Sequence, residues 1–574
     1  MMKSLRIFHS LVIAGFLFLL SALIYHQIVR FEEYSQLSQV NRIRILPQSA
    51  SRGRILDRNG NILAGSTLSY DLVVMPSEKL IAQEQISKLS SILSLSEKQL
   101  KSKYSSGYTT PFTPVLLESD IPLTQAVAVG QLKYDLPQVS IQPNSKRVYP
   151  LGNVVSHILG YLGKIDVWRW EQLKQYGYSM QDLIGYSGVE EVYDYVLRPR
   201  EGGMQVEVDS KGRLSRILGF KSPQEGGDIE LTIDLRLQEI IYDSLLGHTG
   251  CAIVLDPVNG EVLALGSMPD FNPGVFQGNQ PYLINALLND ADAPLFNRAI
   301  NGLYPPGSIF KIIVAAAGLE RGKIDLSSKF FCSGKKQIGQ RQFHCWKTHQ
   351  EEDIVDALAD SCNVFFYNLG LRLGPQLINE YALKFGFGQR TGIDLNAEAK
   401  GFLPYSLWQR IKRPQRWFAG DTANFSIGQG QTLVTPMQVA RMMAAIANGG
   451  TLVRPRLLKS ETQAGQTLTS ASLQAVNLPL SSKNLEIIRQ GLAGAVNKTG
   501  GTAHSLSGIG VSVAGKTGTA QVAEATSHAW FAGYFPVDKP RFVLCVFLEH
   551  GGAGYYSCQV AKGIIERMLA EKIL

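Results

Sequence analysis

The sequence predicts an α+β protein whose C-terminal part is an antiparallel five-stranded sheet covered by helices, with a helical lobe inserted between the halves of the sheet. The first observation behind this is a pair of apolar strands, Cys251 to Leu255 and Val262 to Met268, parted by the turn Asp256-Pro257-Val258-Asn259-Gly260. The second is a later set of three, Val511 to Val522, Ala529 to Val537 and Arg541 to Glu549, joined by short turns containing Gly, Pro and Asp. A long, mostly helical stretch separates the two sets. Helical candidates flank the whole, Arg236 to Leu246 before it and about Gln559 to Leu574 after it. Such a chain leaves one sheet and later rejoins it. The cleft between sheet and lobe is the natural place for a site.

The 574 residues are 45% hydrophobic and 18% charged, the make-up of a folded chain of several domains. The net charge of +8 is spread thinly, without the like-charge runs of a nucleic-acid arm, so no nucleic-acid partner is expected. Ile7 to Val29 carries no formal charge over 23 residues, enough at about 1.5 Å per residue to cross a hydrocarbon core of about 30 Å. No small-residue cleavage site follows it, which favours an uncleaved anchor over a signal peptide. Lys3 and Arg6 precede it, predicting a cytoplasmic N-terminus and an extracytoplasmic remainder. The expected division is a cytoplasmic tail at 1–6, a transmembrane anchor at 7–29, an elongated mixed α/β pedestal without chemistry at 30–235, and a catalytic domain at 236–574. Within the pedestal, residues 30 to 47 read as a polar, helix-permissive stalk. Ile55-Leu56 and Ile62-Leu63 around Asn59-Gly60 read as a hairpin.

The chemistry lies in three short motifs. Pro305-Pro306-Gly307-Ser308-Ile309-Phe310-Lys311 opens an Ala-rich helix, placing Ser308 in the first turn and the Lys311 amine at i+3, within reach of its hydroxyl. A serine nucleophile needs a proton acceptor, and a lysine serves when burial or a neighbouring cation lowers its pKa. Ser361-Cys362-Asn363 opens a second helical stretch. Ala514-Gly515-Lys516-Thr517-Gly518-Thr519-Ala520-Gln521 falls on the first late strand. Order and spacing single these out from copies in the wrong context: Ser333 to Lys336 in a polar loop, Lys498-Thr499-Gly500 in a Gly-rich loop, and Ser482-Lys483-Asn484 too close to the latter to enclose a lobe.

With these motifs, the chain resembles the serine transpeptidases of bacterial cell-wall synthesis, the penicillin-binding proteins. The likeness extends to RGRILDRNG at 52–60, GYSGVEEVYDYVLR at 185–198, LTIDLRLQ at 231–238 and GDTANFSIGQG at 420–430. It is similar to the monofunctional class B, and the Gly428-Gln429-Gly430 and YPPGS segments look like the elongation type, penicillin-binding protein 2. The resemblance implies a peptidoglycan D,D-transpeptidase needing no cofactor for its chemistry, blocked covalently by β-lactams. It implies Ser308 as nucleophile on a D-Ala-D-Ala stem peptide, Lys311 as base, Ser361 and Asn363 as proton relay and positioning groups, and Lys516 as positive charge near the substrate carboxylate. Thr517 and Thr519 would offer hydroxyls to that carboxylate. Backbone N–H groups of Ser308 and Thr519 would form the oxyanion hole, and Gly518 would let a substrate strand approach. The partners implied are the membrane, a membrane-embedded glycan polymerase of the shape, elongation, division and sporulation family, and other elongation-complex proteins. Rival readings are a D,D-carboxypeptidase, a β-lactamase or antibiotic sensor, and a non-enzymatic scaffold.

Cys362 departs from the family's middle motif. If Ser361 and Asn363 face the cleft, Cys362 faces the protein behind, where Cys332, Cys345 and His349 complete a C-x12-C-x3-H-x12-C spacing. Cys345 and His349, at i+4, could share a helical face, and three thiolates with one imidazole form a closed zinc set. A structural zinc is expected, with His344 as an alternative ligand and a disulfide or buried free thiols as alternatives. Cys545 and Cys558 are expected in the core, with pairing open.

Overall fold

The computed structural model describes residues 2–574 except 36–42, 49, 75–82, 109–113, 133, 137, 181, 209–213, 279, 405–416, 464, 470–474 and 524. Met2–Ile24 is α-helical and continues through a π-helical turn at Tyr25–Val29, so residues 2–6, expected as a separate tail, are part of the helix. Among the described residues, Ile7–Val29 is the one helical segment long and apolar enough to cross a membrane, and none of it is buried.

The chain forms two compact units. The first comprises Met1–Arg52, Ser66–Lys146 and Pro199–Gly226, and the second Gly53–Gly65, Arg147–Arg198 and Gly227–Leu574. The expected boundary at 235 is therefore not the boundary of the compact units, because two stretches of the pedestal, 53–65 and 147–198, pack with the catalytic residues. In the first unit Ile43–Gln48 is a strand, paired antiparallel with Gly202–Val208, which pairs in turn with Leu214–Lys221. Residues 31–35 of the expected stalk are helical, but 43–47 are not: there the Ile-x-Ile alternation finds a distant partner that local propensity does not reveal. Residues 36–42 of that stalk lie outside the described residues. Helices Gln83–Leu93, Glu97–Gly107 and Leu123–Gln131 bury Leu89, Leu93, Leu100 and Val129 in the same unit's core. A capping box of Ser96 and Gln99 starts the second of them.

In the second unit the Asn59-Gly60 hairpin is present. Ile55–Leu56 pairs antiparallel with the start of Ile62–Val74 and, in parallel, with Asp228–Leu231. Asp57 Oδ1 accepts the N–H groups of Asn59 and Asn61, both at 2.8 Å, which sets the turn. Arg147 and Glu190 are buried together: Arg147 Nε donates to Glu190 Oε1 at 2.7 Å and Nη1 donates to Gly53 O at 2.5 Å.

The catalytic sheet is antiparallel and has five strands: β1 (Gly250–Leu255), β2 (Val262–Met268), β3 (Ala514–Val522), β4 (Ala525–Phe535) and β5 (Phe542–Leu548). Their order is β2-β1-β5-β4-β3, so the chain leaves after β2 and returns to the far edge as β3. All residues of β1, β2 and β5 are buried, as expected of strands covered on both faces. Leu235–Leu245 (α1) and Gly554–Ala570 (α7) cover one face through Leu237, Ile240, Ile241, Ile564, Ile565 and Met568. Helix Pro436–Ala447 (α5) covers the other. The lobe between β2 and β3 supplies Lys311–Glu320 (α2), Ile354–Ala359 (α3) and Asn363–Lys384, broken at Gly374 (α4). Ser482–Asn497 (α6) packs α3 and β3.

Arg147→Met should lower the unfolding free energy by about 3–5 kcal/mol, because it removes the cation paired with the buried Glu190 carboxylate. Urea unfolding measures the loss, and an unchanged midpoint contradicts the packing described.

Candidate active site

Two prolines and a glycine set the turn before Ser308. Gly307 lies at φ +54°, a conformation open to glycine at little cost. Gly307–Phe310 forms a 3-10 turn that runs into α2. Trp530 Nε1 on β4 donates to Pro305 O at 3.0 Å and fixes the turn to the sheet. Ser308 is half-buried, and its N–H, in a first helical turn, has no intrahelical acceptor. Lys311, one turn along, is fully buried.

The expected bond between the Ser308 hydroxyl and the Lys311 amine is not formed. Lys311 Nζ instead donates to Ser361 O (2.7 Å), Ser361 Oγ (3.2 Å) and Asn363 Oδ1 (2.6 Å). Three acceptors match the three protons of an ammonium. Burial nevertheless favours the uncharged amine and lowers its pKa to about 8, opposed by the nearby thiols of Cys345 and Cys362. The acceptors come from the turn joining α3 to α4, where Ser361 stands at φ +54°. Cys362 caps α4, its Sγ accepting from Phe365 N–H at 3.5 Å. Asn363 is oriented from both sides: its Oδ1 takes the lysine, and its Nδ2 donates to His344 O at 3.2 Å.

The third wall is β3, the sheet edge. Lys516 is fully buried, donating to Thr517 O at 3.3 Å. Burial first, and the charge of Lys311 second, hold its pKa well below the usual lysine value. An incoming carboxylate is the group that would restore its charge. A Cβ on Gly518 would lie 3.0 Å from Pro306 O and 3.2 Å from Ile309 Cγ1. Its bareness thus admits the nucleophile's turn as well as any substrate strand. Thr519 is exposed, but its Oγ1 already accepts Gly554 N–H at the start of α7 at 3.0 Å, leaving its own proton for a ligand.

The misleading motif copies are engaged elsewhere. Lys336 donates to Asn368 Oδ1 at 2.7 Å, while Lys498 bridges Asp356 and Asp360 at 2.8 and 2.7 Å.

Behind the Ser361 turn, Cys332, Cys345, His349 and Cys362 do gather, their ligand atoms all within 4.8 Å of one another. His349 Nδ1 is 3.5 Å from Cys332 Sγ and 3.6 Å from Cys345 Sγ. The helical face expected for Cys345 and His349 is absent. Both belong to an irregular loop between strands Arg341–His344 and Gln350–Glu352, which curls so that i and i+4 meet without a helix. Cys345 Sγ also accepts the N–H of Asn363 at 3.2 Å, tying the cluster to the catalytic turn. Hydrogen bonds, that from Cys362 foremost, hold the Cys345 thiol far below its ordinary pKa, and the same pairing pushes Cys362 up. All six cysteines are free, Cys545 and Cys558 included, and both of these are buried.

Sequence reasoning passed over Gly307, Gly428 and Gln429 as parts of the site. Gly307 N–H donates to Gly428 O at 3.0 Å, and Gln429 Nε2 donates to Thr519 O at 3.3 Å.

Residues 250–570 match the penicillin binding protein transpeptidase domain, and residues 47–231 match the penicillin-binding protein dimerisation domain. The chain belongs to the penicillin-binding protein transpeptidases. It is 32% identical to the peptidoglycan D,D-transpeptidase MrdA of Acinetobacter baumannii, over 98% of this chain and 87% of that one. Its structure superposes with a TM-score of 0.82 on a penicillin-binding protein 2 of Helicobacter pylori solved with MreC, at 27% identity over 93% of this chain and 99% of that one. A chain from a peptidoglycan synthase complex, studied for its coordination of polymerization and crosslinking, matches at 29% identity, with a TM-score of 0.73 over 98% and 97%. This penicillin-binding protein is a serine-type peptidoglycan D,D-transpeptidase of the elongation type, as the motifs implied.

With Lys311 as the base that the motif implies, the rate of acylation by a fluorescent penicillin should rise with pH through about 8, because only the unprotonated amine has a lone pair to take a proton. Lys311→Arg, which keeps the charge but cannot deprotonate, should slow acylation by about 10²-fold or more. A flat profile between pH 6 and 10 contradicts this assignment.

Proposed function

We propose that Ser308 is the nucleophile and Lys311 its base in stem-peptide cross-linking. The observation that carries this is the buried Lys311 amine, held by Ser361 and Asn363 one helical turn from Ser308. Ser308 Oγ attacks the carbonyl of the D-Ala-D-Ala bond as its proton passes to Lys311 Nζ. The oxyanion is received by the N–H groups of Ser308 and Thr519, each such donor being worth about 10²–10³ in rate. The C–N bond then breaks, and the departing D-Ala amine takes a proton from Lys311 by way of Ser361. An acceptor amine attacks the resulting ester and gives its proton to Lys311, which passes it to Ser308 Oγ as the ester C–O bond breaks, so the cross-link is formed and both residues are restored. Lys516, Thr517 and Thr519 face the substrate's terminal carboxylate. Water in place of the amine gives the carboxypeptidase side reaction.

Residues 236–574 serve as the catalytic domain, and the matched dimerisation region supports a docking role for most of 30–235. Lys3 and Arg6 before Ile7–Val29 support a cytoplasmic N-terminus with the enzyme outside the membrane. The partners are a membrane-embedded glycan polymerase and other elongation proteins, a reading supported by the relatives solved with MreC and within a peptidoglycan synthase complex.

The Cys332, Cys345, His349 and Cys362 set is read as a structural zinc site. Its donors are of the right kind: three sulfurs and an imidazole nitrogen gather within 4.8 Å of one another, with His349 Nδ1 at 3.5 and 3.6 Å from two of the sulfurs. The Asn363 and Phe365 N–H groups already donate to two of the sulfurs. The metal would brace the Ser361 turn and take no part in the chemistry. Elemental analysis of the purified protein should find close to one zinc per chain, whereas absence of metal with paired thiols contradicts this.

Mass spectrometry of the penicillin adduct tests the catalytic reading. A single adduct on the peptide carrying Ser308, lasting hours and absent in Ser308→Ala, is expected. An adduct on another residue, or rapid turnover of the drug as in a β-lactamase, overturns it.

A further inference from the structure

The loop after helix Ala419–Ser426 touches both walls of the cleft. Gly428 O accepts the N–H of Gly307, the residue before Ser308, at 3.0 Å. The next side chain, Gln429, reaches the opposite wall, where its Nε2 donates to Thr519 O at 3.3 Å. This span requires close contact. Gly428 lies at φ +70°, and a Cβ there would collide with the Gly307 carbonyl oxygen and lie 2.7 Å from Phe310 Cβ. Likewise, a Cβ on Gly307 would lie 2.8 Å from Thr519 O.

The edge position of β3 gives the contact its meaning. Residues of an antiparallel strand alternate: one turns both N–H and C=O to its neighbour, and the next turns both away. Thr519 turns its carbonyl away from β4 to meet Gln429, so its N–H is turned into the cleft as well. The Thr519 N–H lies in the Gly518–Thr519 amide and the carbonyl in the Thr519–Ala520 amide, both paired with β4 on their inner side, while the outer side of the edge strand at Thr519 meets Gln429.

We infer that Gln429 is a positioning residue for the oxyanion hole: its carboxamide holds the Thr519 carbonyl to the loop that also holds Gly307, and so sets how far the Thr519 backbone, with its N–H, stands from Ser308. The inference rests on the reading of Ser308 and Thr519 given above. Gln429 does not touch the reacting carbonyl. Because Gly428 fixes the nucleophile's turn from the same loop, the separation of the two N–H donors is set by two adjacent residues.

The test compares wild type, Ser308→Ala, Gln429→Met and Gln429→Ala in the full-length protein. Three readouts are used: the acylation rate at saturating penicillin, the affinity for an aryl boronate that adds to the serine as a tetrahedral anion, and the thermal midpoint. Methionine keeps the length of glutamine but has no donor. The wild type must be acylated and Ser308→Ala must not; failure here overturns the reading of the site rather than the role of Gln429. Gln429→Met and Gln429→Ala should then be slowed alike, by about tenfold or more but less than the 10²–10³ lost with a whole donor. Boronate affinity should fall in parallel, with the thermal midpoint unchanged. A wild-type rate in Gln429→Met overturns the inference, as does slow acylation with unchanged boronate affinity. A fall in the thermal midpoint accompanying the slower rate means a packing role and overturns it too.

Discussion

Three hydrogen bonds from one buried amine organise this protein. Lys311 enters from the start of α2 and ends on Ser361 O, Ser361 Oγ and Asn363 Oδ1, so the helix that follows the Ser308 turn is fastened to the turn between α3 and α4. That turn places a serine in the left-handed region, at a cost of about 1–2 kcal/mol that must be met by fixed partners. The same bonds explain how the amine can act as a base. An ammonium has a proton for each acceptor, whereas the neutral amine has only two, so its deprotonation opens one bond and frees a lone pair. Burial brings that change within reach of neutral pH.

Bare backbone does the rest. Gly307, Gly428 and Gly518 stand where the nucleophile's turn, the Gly428-Gln429-Gly430 loop and the edge strand come within van der Waals contact. A side chain at any of them would push apart the walls that hold the Ser308 and Thr519 N–H groups. Lys516 contributes a second buried amine to the same cleft. Burial, and the charge of Lys311 beside it, lower the pKa of Lys516, so the pocket gains most from an anionic ligand. Behind the Ser361 turn the sulfur cluster holds Asn363 by its N–H, so this asparagine is fixed through its backbone as well as its side chain.

Much of this was legible in the sequence wherever the signal was local. The three motifs declared themselves through residue type and order, and the five strands through apolar runs between Gly- and Asp-containing turns. The Asn59-Gly60 hairpin was equally plain. What escaped was non-local. Ile43–Gln48 is a strand only because Gly202–Val208 lies beside it, and residues 53–65 and 147–198 join the catalytic residues through distant contacts such as Arg58 with Glu261, Gln238 with Val154 O and Tyr193 with Asp394. The spacing of Cys345 and His349 suggested a helix because i+4 is the helical interval, yet a tight loop brings the same two atoms together. Gln429 carried no chemical signature at all. Its part follows from a fold that returns β3 to the edge of the sheet, opposite the loop that contains it.

A crystal structure of the penicilloyl enzyme tests the account most directly, because it reads every wall of the cleft at once. The ester should lie on Ser308 Oγ, its carbonyl oxygen between the N–H groups of Ser308 and Thr519. Lys311 Nζ should stand within hydrogen-bond reach of Ser308 Oγ while still bonded to Asn363 Oδ1. An ester oxygen turned out of that pair of donors, or a Lys311 amine that has left Ser361 and Asn363 altogether, would contradict the claim that one buried lysine holds the site together.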